Sequence, residues 1–342
     1  MKLYTLKIES IKKETAESIT LYFKQPSLRK IKYLSGQYLT LSFRINGRKY
    51  LRPYSLSSAP SIDSFLAVTI KRLQDGIVSN HILDNLQVGN LIEVMEPQGD
   101  FCYIPNNNDD KIYFWGVGSG ITPLLSIVKE ILATFPSLKI HLIYGNKNPE
   151  STIFLETINQ LQILYPSAFT ITHFFTQLDV ENKLPNNFQG RINKQFILEL
   201  LKNNSINSKH YICGPMSLKD MIKQTLSELN ISSPNVFSED FELVINPKDF
   251  ENINTQEIKI NFKNNNTLVE VAKGKSVLEA ALDAGIELPY SCQTGNCSTC
   301  KGILKSGELK MLGLSKDRID IKNGEYLLCC SYPLTDNVYI EI

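Results

Sequence analysis

Five of the seven cysteines in the chain lie within residues 292–330. Cys292, Cys297 and Cys300 form a C-x4-C-x2-C run, and the doubled Cys329-Cys330 follows later in the chain. Two ferric ions bridged by sulfide need four thiolate ligands, and this run has the spacing of plant-type [2Fe–2S] centres. The small and polar residues between the cysteines let backbone N–H groups approach the sulfur atoms, and such hydrogen bonds help to set the reduction potential. The pattern predicts a [2Fe–2S] cluster.

A structural zinc site is the alternative for the same cysteines. Zinc sites typically pair two short ligand segments, whereas here an isolated ligand follows the C-x4-C-x2-C run. An odd number of cysteines without an export signal also favours metal ligation over disulfides. The sequence therefore favours the cluster over zinc and over free thiols, but spacing alone does not distinguish Cys329 from Cys330 as the fourth ligand.

A second group of candidate site residues follows the β-like run YLTLSF. Arg52-Pro53-Tyr54-Ser55 places a guanidinium, an aromatic ring and a hydroxyl on one short segment. The guanidinium can pair with a pyrophosphate oxygen, the Tyr54 ring can lie against an isoalloxazine, and the Ser55 hydroxyl can hydrogen-bond near the flavin N5. These four residues are candidate FAD-binding residues, and Ser55 is also a candidate catalytic residue. A core tyrosine is the alternative interpretation of Tyr54.

The segment Gly76-Ile77-Val78-Ser79 supports the flavin interpretation. It opens the helical pattern SNHILDNL. A glycine before a helix N-terminus suits a pyrophosphate, because free N–H groups and the helix dipole face the anion. We expect this segment and the Arg52–Ser55 segment to hold one FAD, although Ser79 could equally be an ordinary helix N-cap.

The glycine-rich segment GVGSGITP, residues 116–123, links an apolar strand to a helical pattern. That is the context in which a glycine loop binds a nucleotide, since the backbone can close on a pyrophosphate at a helix N-terminus. The glycine spacing differs from G-x-G-x-x-G, so we expect no acidic partner about twenty residues further on. The candidate residues for binding NADPH or NADH here are Gly116, Gly118, Gly120, Thr122 and Pro123.

Two other strand ends reach the same edge of the predicted sheet. The run HYI leads into Cys213-Gly214-Pro215-Met216, and the run KIHLIY leads into Gly145-Asn146-Lys147. Ligands of parallel α/β sheets bind at the carboxyl ends of the strands, so we expect Cys213 beside the nicotinamide as a candidate catalytic residue. Lys147 or Ser151 can meet an adenosine 2′-phosphate, which would favour NADP(H). A buried small hydrophobe is the alternative for Cys213, and a solvated cation is the alternative for Lys147.

The elements that must position these groups change in character along the chain. Residues 3–105 consist of short β-runs separated by turns, which predicts a small antiparallel barrel. Apolar strands then alternate with longer helical patterns, which predicts an α/β domain with a parallel sheet. After residue 256, a hairpin precedes a helix with a capping box formed by Ser276 and Glu279. The predicted domains are 1–105, 106–236 and 257–342, with a linker at 237–256.

Composition excludes several classes of function. Hydrophobic residues make up 42% and charged residues 21% of the 342 residues, as in ordinary globular proteins. A net charge of +1 gives no argument for binding nucleic acid or an anionic membrane. The charged N-terminal run MKLYTLKIESIKKE and the absence of a long apolar segment predict a cytoplasmic protein without a signal peptide or membrane span. The four histidines show no metal-ligand pairing and are expected to be structural or on the surface.

Together, these segments resemble the ferredoxin–NADP⁺ reductase superfamily, in the branch with a C-terminal plant-type ferredoxin domain. The resemblance rests on RPYS with GIVS, GVGSGITP with CGPM, and PYSCQTGNCSTC with LLCC, and it covers essentially the whole chain. It implies a six-stranded antiparallel FAD barrel, an α/β nucleotide-binding domain and a β-grasp [2Fe–2S] domain.

The resemblance also implies roles for individual residues. It assigns P-x-G-x-F residues at the end of the barrel and E-x-F residues at the end of the nucleotide domain: Pro97, Gly99, Phe101, Glu239 and Phe241. The family's leucine two residues before the last ligand, and its proline four residues after it, select Cys329 as the fourth ligand. Lys147 stands where the family usually has arginine.

The order of the domains and the text YGNK before an IFLETINQL-type helix are similar to the reductase subunits of phenylacetyl-CoA epoxidase systems. This similarity implies that electrons pass from NAD(P)H through FAD and the cluster to a partner oxygenase. A nicotinamide delivers a hydride and a cluster accepts one electron, so a flavin is needed between them.

Three other functions fit parts of the sequence. The chain could be a stand-alone NADH reductase for another acceptor, such as a hybrid-cluster protein or a desaturase. It could be a non-catalytic electron carrier, but such a carrier needs neither GVGSGITP nor CGPM. It could also be a redox or iron sensor that binds a partner through its β-grasp domain.

Overall fold

Strands at the N-terminus form the antiparallel sheet that the short β-runs predict. The computed structural model describes residues 2–26, 30–106, 111–177, 186–202, 207–243, 245–314 and 317–342. The chain divides into two units, Met1–Glu239 and Asp240–Ile342. In the described ranges, no helix is long and apolar enough to cross a membrane.

The elements of the first sheet are β1 (Leu3–Thr15), β2 (Ser18–Lys24), β3 (Tyr38–Ile45), β4 (Arg48–Ser55), β5 (Phe65–Lys71), α1 (Ile77–Asn85) and β6 (Leu91–Met95). Its six strands lie in the order β4-β3-β6-β1-β2-β5. A bridge between Leu56 and Val68 brings the residue after β4 to β5. Buried Leu and Ile side chains alternate along β1, as expected for a sheet with one face on a core. The predicted antiparallel barrel is confirmed.

The second sheet is parallel and has the order β10-β9-β8-β7-β11-β12. Its elements are β7 (Lys111–Val117), α2 (Ile121–Thr134), β8 (Lys139–Asn146), α3 (Leu155–Leu164), β9 (Phe169–Phe175), β10 (Asn187–Gln189), α4 (Lys194–Leu201), β11 (Lys209–Cys213), α5 (Met216–Glu228) and β12 (Val236–Glu239). β7 and β8 are buried almost throughout, as parallel strands covered on both faces must be. This sheet confirms the predicted α/β fold.

Helix α2 joins the two sheets into one unit. The Ser126 hydroxyl donates to the Ser58 carbonyl at 2.6 Å and accepts from the Gly36 N–H at 3.3 Å. Lys129, one turn further along, forms an ion pair with Asp63 of the barrel. These contacts fix the glycine-rich segment before α2 relative to the barrel.

The second unit has a five-stranded sheet, β14-β13-β19-β15-β17, and a two-stranded pair, β16-β18. Its elements are β13 (Gln256–Phe262), β14 (Asn265–Val271), α6 (Val277–Asp283), β15 (Lys301–Ser306), β16 (Leu309–Met311), β17 (Glu325–Leu327), β18 (Ser331–Pro333) and β19 (Tyr339–Glu341). The predicted capping box is present: Ser276 Oγ accepts from the Glu279 N–H at 3.2 Å, and Glu279 Oε2 accepts from the Ser276 N–H at 2.8 Å.

The predicted linker at 237–256 differs from the structure at both ends. β12 continues through Glu239, and β13 already begins at Gln256. Between them, a 3-10 turn forms at Pro247–Phe250, and Ile253 is buried against Leu312 and Tyr332. The segment lacks a hydrophobic period because short turns, rather than a helix or strand, bring single apolar residues onto the second unit.

Candidate functional site

The GVGSGITP segment turns directly from β7 into α2. Residues 118–120 form one 3-10 turn, and Gly118 has a φ of +55°, a region that favours glycine. A Cβ on Gly120 would lie only 2.2 Å from the Cys213 carbonyl oxygen. The glycine loop therefore lies against the end of β11, so the structure brings together two segments that the sequence predicts for the nucleotide.

Hydrogen bonds inside this segment hold its shape. The Thr122 hydroxyl is buried and donates to the Ser119 carbonyl at 3.0 Å, so it closes the loop. The Tyr144 hydroxyl donates to the Gly118 carbonyl at 2.9 Å. Tyr144 is a positioning residue that sequence reasoning missed, because an aromatic residue inside a buried strand has the pattern of a core side chain.

A cavity of about 850 Å³ opens at the carboxyl ends of the parallel strands, within the first unit. Its size lies in the range of small-molecule sites. The glycine loop, the residues after β8 and the start of α5 contribute to its lining through Gly118, Lys147 and Pro215. Lys71 of the barrel and Arg191 before α4 add two cations that the sequence motifs do not identify.

The two residues predicted to bind a 2′-phosphate differ in whether a donor group is free to do so. Lys147 is exposed and lines the cavity. The Ser151 hydroxyl donates to the Asn148 carbonyl at 3.0 Å and accepts from the Asn148 N–H at 3.2 Å, as part of a capping box. Its only proton is already donated, so Lys147 remains the better phosphate donor of the two.

Cys213 ends β11 between two neighbouring strands. It is in register with Gly116 of β7 and with Glu239 of β12. Burial, and secondarily the Glu239 carboxylate, raise the pKa of the Cys213 thiol well above its ordinary value. The thiol is therefore protonated at neutral pH. A protonated thiol is uncharged and is a poor nucleophile, so Cys213 can border a site but is not a nucleophile. Gly214, Pro215 and Met216 lead from this strand end into α5.

The predicted flavin residues lie on β4. Arg52 and Tyr54 share one face of the strand, and Ser55 faces the other side and is buried. The Arg52 guanidinium donates to the Leu51 carbonyl at 2.9 Å. Burial raises the pKa of the Tyr54 phenol, with a smaller opposing effect from Arg52. Pro53 pairs with Thr40 in the antiparallel ladder with β3.

The Gly76–Ser79 segment forms the start of α1. The helix begins at Ile77 with Gly76 as its N-cap, two residues earlier than the pattern SNHILDNL predicts. The Ser79 hydroxyl accepts from the Leu73 N–H at 3.1 Å, so it closes the preceding loop and is not the N-cap. The first N–H groups of α1, at Ile77 and Val78, have no intrahelical acceptor and suit an anion.

The cysteine side chains of the second unit lie close together. Cys292 interacts with Cys297, Cys300 interacts with Cys329, and Cys329 also contacts Cys330. The Cys292 Sγ accepts from the Cys297 N–H at 3.2 Å and from the Thr294 N–H at 3.4 Å. The contact with Cys292 lowers the pKa of the Cys297 thiol to about 6. Two thiol pairs with backbone donors to sulfur fit a cluster of two irons, each held by two thiolates.

Cys330 has a different environment. Its thiol is buried and donates to the Leu327 carbonyl at 3.3 Å. This geometry favours Cys329 over Cys330 as the fourth ligand. Over the described ranges, no group of three or more His, Cys, Asp or Glu side chains is placed to hold a single metal ion.

Three family models match the chain in order. An oxidoreductase FAD-binding domain matches residues 5–103, an oxidoreductase NAD-binding domain matches residues 114–224, and a 2Fe-2S iron-sulfur cluster binding domain matches residues 260–334. Each match falls on the part of the chain where the corresponding candidate residues lie.

Known proteins resemble the chain over nearly its whole length. The ferredoxin reductase component of 3-ketosteroid-9-alpha-monooxygenase from Rhodococcus rhodochrous is 31% identical, with 98% of this chain and 96% of that protein covered. A subunit of the 1,2-phenylacetyl-CoA epoxidase from Escherichia coli K12 is 29% identical, with 99% and 97% covered. The structure of phthalate dioxygenase reductase matches with a TM-score of 0.69 at 22% identity, covering 99% and 98%, and supports the fold.

The chain belongs to the family of ferredoxin reductase components that combine FAD-binding, NAD-binding and [2Fe–2S] domains. It is an NAD(P)H-dependent oxidoreductase that transfers electrons through FAD and a [2Fe–2S] cluster. The zinc interpretation, the non-catalytic carrier and the sensor do not account for this combination.

Proposed function

We propose that this protein is the reductase component of a multicomponent oxygenase and supplies NADPH-derived electrons to an oxygenase of the phenylacetyl-CoA epoxidase type. The observation that carries the proposal is end-to-end similarity, over 99% of this chain and 97% of the Escherichia coli epoxidase subunit, in a chain with all three domains. The natural setting is the cytoplasm, which supplies NADPH and keeps thiols reduced.

The proposed binding residues follow from the elements that carry them. Arg52, Pro53, Tyr54 and Ser55 on β4, with Gly76, Ile77, Val78 and Ser79 at the start of α1, hold FAD. The loop before α2 and the segment after β11 hold the nucleotide, and Cys292, Cys297, Cys300 and Cys329 hold the cluster. When bound, FAD accepts the two electrons of a hydride and releases them singly toward the cluster.

The chain's own residues orient the nicotinamide and exclude water. Gly120 has no Cβ, so the loop can lie on the Cys213 carbonyl. The buried Cys213 has a protonated thiol and the half-buried Glu239 lies beside it on β12, so this strand end offers no nucleophile. Ser55 is buried at the end of β4, where its hydroxyl can hydrogen-bond the flavin.

The proposed preference for NADPH rests on cations in the cavity. Lys147 follows β8, and Arg191 lies between β10 and α4; both line the cavity at the carboxyl end of the sheet. Arginine and lysine are the usual partners of a phosphate. A 2′-phosphate between them would give NADPH an advantage that NADH lacks.

Reconstitution with an acceptor tests the proposal. The purified protein would be mixed with the oxygenase components of the Escherichia coli phenylacetyl-CoA epoxidase, and NADPH oxidation would be measured with and without phenylacetyl-CoA. We expect NADPH oxidation to depend on phenylacetyl-CoA. We also expect the epoxide to form at the rate at which NADPH is oxidised. A stand-alone reductase for another acceptor predicts rapid cytochrome c reduction but no substrate-dependent coupling.

The terminal oxygenase of a glycine betaine monooxygenase is the matched control, because its reductase subunit from Chromohalobacter salexigens is also similar to this chain, at 29% identity. Equal coupling to both oxygenases would contradict the proposed acceptor class and leave the general reductase function intact.

A further inference from the structure

The Arg318 side chain lies on the cluster-binding loop of the second unit. Its guanidinium donates to the Gly295 carbonyl and, at 3.3 Å, to the Cys297 carbonyl. It also donates to the Ser298 hydroxyl at 2.8 Å. Although Arg318 comes from an irregular segment of the chain, only 6% of its side chain is exposed. Three acceptors of the loop between Gly295 and Ser298 therefore converge on one buried cation.

Asp320 completes this arrangement from the solvent side. Its carboxylate accepts two hydrogen bonds from the guanidinium, both at 2.7 Å, and one from the Ser298 hydroxyl at 3.1 Å. Such a two-pronged pair fixes the plane of the guanidinium. Ile319, between the two charged residues, is 98% exposed, so the turn is not held by an apolar anchor at that position. The polar contacts hold Arg318 on the loop.

We propose that Arg318 is a positioning residue for the iron–sulfur cluster, which fixes the conformation of the ligand loop and whose charge raises the reduction potential of the cluster. This inference rests on the proposed binding of the cluster by Cys292, Cys297, Cys300 and Cys329. No motif used to assign the cluster includes Arg318.

The effect of Arg318 on the loop conformation follows from its hydrogen bonds. The Gly295 and Cys297 carbonyls belong to peptide groups on either side of the ligand Cys297. In a planar trans peptide the N–H points opposite to the C=O. Holding these two carbonyls therefore also fixes the N–H groups of Asn296 and Ser298. Gly295 has a φ of +73°, which leaves the loop dependent on such side-chain contacts for a single conformation.

The effect of Arg318 on the reduction potential follows from the positive charge of its guanidinium. A cluster gains one negative charge when it takes up an electron, and a buried cation nearby favours that state. The guanidinium lies beside the ligand loop, since it donates at 3.3 Å to the carbonyl of Cys297 itself. Asp320 must oppose the effect of Arg318, since its carboxylate partly neutralises the same cation.

Three variants separate the effect of Arg318 on the loop conformation from its effect on the reduction potential. Arg318→Gln removes the charge, Arg318→Lys keeps the charge but loses the forked geometry, and Asp320→Asn removes the opposing anion. Lys305→Gln is the matched control, because Lys305 forms an exposed ion pair with Glu341 at 2.9 Å on the sheet of the same unit. The full-length holoprotein would be used, with cluster content measured first from iron and from EPR of the reduced protein.

The readouts are the midpoint potential from an EPR-monitored redox titration and the rate of cluster loss to an iron chelator. We expect Arg318→Gln to lower the potential and Asp320→Asn to raise it. We expect cluster loss to accelerate several-fold in Arg318→Gln and in Arg318→Lys, while the potential of Arg318→Lys stays near that of the wild type and Lys305→Gln changes neither.

An unchanged potential in Arg318→Gln, or a shift of the same sign in Arg318→Gln and Asp320→Asn, would overturn the inference. If Arg318→Gln retains no cluster, Asp320→Asn decides, because it leaves the arginine in place: an unchanged or lower potential rejects the electrostatic role. Failure of the proposed function would appear earlier, as a wild-type protein without the iron–sulfur signal.

Discussion

Gly120 lies against Cys213 so closely that a Cβ at residue 120 would approach the Cys213 carbonyl oxygen to 2.2 Å. Glycine is therefore required at this point by contact and not by backbone conformation, since Gly120 has a φ of −61°. The same contact joins the glycine loop before α2 to the end of β11, and Gly118 and Pro215 of these two segments line the cavity.

Gly120→Ala should damage nucleotide binding selectively. A methyl group that meets a backbone atom below 3.0 Å forces the loop or the strand end to move, at a cost of roughly 1–3 kcal/mol. We expect the KM for NADPH to rise at least about tenfold, which is the equivalent of 1.4 kcal/mol. FAD and iron contents should stay at the wild-type level. Ser119→Ala, in the same turn, is the control, and equal KM values for the two variants would disprove the role of the contact.

Lys147→Ala and Arg191→Ala should change the choice between nucleotides. Hydrogen bonds to charged groups contribute about 1.5–3 kcal/mol, so each loss should raise the KM for NADPH by about tenfold or more. The KM for NADH should barely change, because NADH has no 2′-phosphate. Lys139→Ala is the control, since Lys139 begins β8 at the opposite end of the strand and donates to the Ser167 carbonyl at 2.8 Å. Parallel losses with both nucleotides would argue against a phosphate contact.

The doubled cysteine allows a direct comparison of neighbouring thiols. Cys329→Ser should lose most of the cluster, because Cys329 pairs with Cys300. Cys330→Ser should keep it, because the Cys330 thiol already donates to the Leu327 carbonyl and a hydroxyl can do the same. Iron per protein and the EPR signal of the reduced protein measure both outcomes. Cluster loss in Cys330→Ser with retention in Cys329→Ser would reverse the ligand assignment.

Buried histidines should make the first unit sensitive to acid. Burial lowers the pKa of His210 to about 3 and that of His141 to about 4, against about 6.5 in an unfolded chain. The unfolded state therefore binds protons that the folded state cannot, so stability is complete above pH 6.5 and falls as the pH drops below it. Each histidine contributes a slope of up to about 1.4 kcal/mol per pH unit.

Denaturant unfolding at several pH values between 7.5 and 5 checks this expectation. His210 accepts from the Trp115 Nε1 at 3.2 Å and contacts the Ser208 hydroxyl at 3.0 Å, so His210→Gln keeps a neutral polar group there. We expect the loss of stability on acidification to be smaller in this variant than in the wild type. His81→Gln, on the partly exposed α1, should behave like the wild type. If the stability of His210→Gln depends on pH in the same way as that of the wild type, His210 is not a source of the acid sensitivity.

Periodicity and short motifs predicted the three-part architecture well. β7 and the helix after it follow from an apolar run and a helical spacing around GVGSGITP, and both formed where the pattern predicts. The cysteine spacing was equally informative, because a bridged pair of irons constrains four ligands to a fixed loop geometry. Such features are local in sequence, so the sequence alone can reveal them.

The supporting contacts could not be predicted in this way. Tyr144 holds the Gly118 carbonyl across the sheet, and Arg318 holds the Gly295 carbonyl from a distant segment. Each contact joins residues that are far apart in the chain, and neither side chain belongs to a recognisable motif. The hydroxyls of Ser151 and Thr122 had plausible phosphate roles in the sequence, but local backbone groups take their protons in the fold.

An anaerobic titration tests the central claim most directly. The purified holoprotein would be titrated with NADPH and then with NADH, while absorbance follows FAD and low-temperature EPR follows the cluster. We expect FAD to bleach and the EPR signal of the reduced cluster to grow with added NADPH, with NADH less effective. If FAD and cluster are both present but neither responds to either nucleotide, electron transfer from the GVGSGITP site to Cys292, Cys297, Cys300 and Cys329 is contradicted.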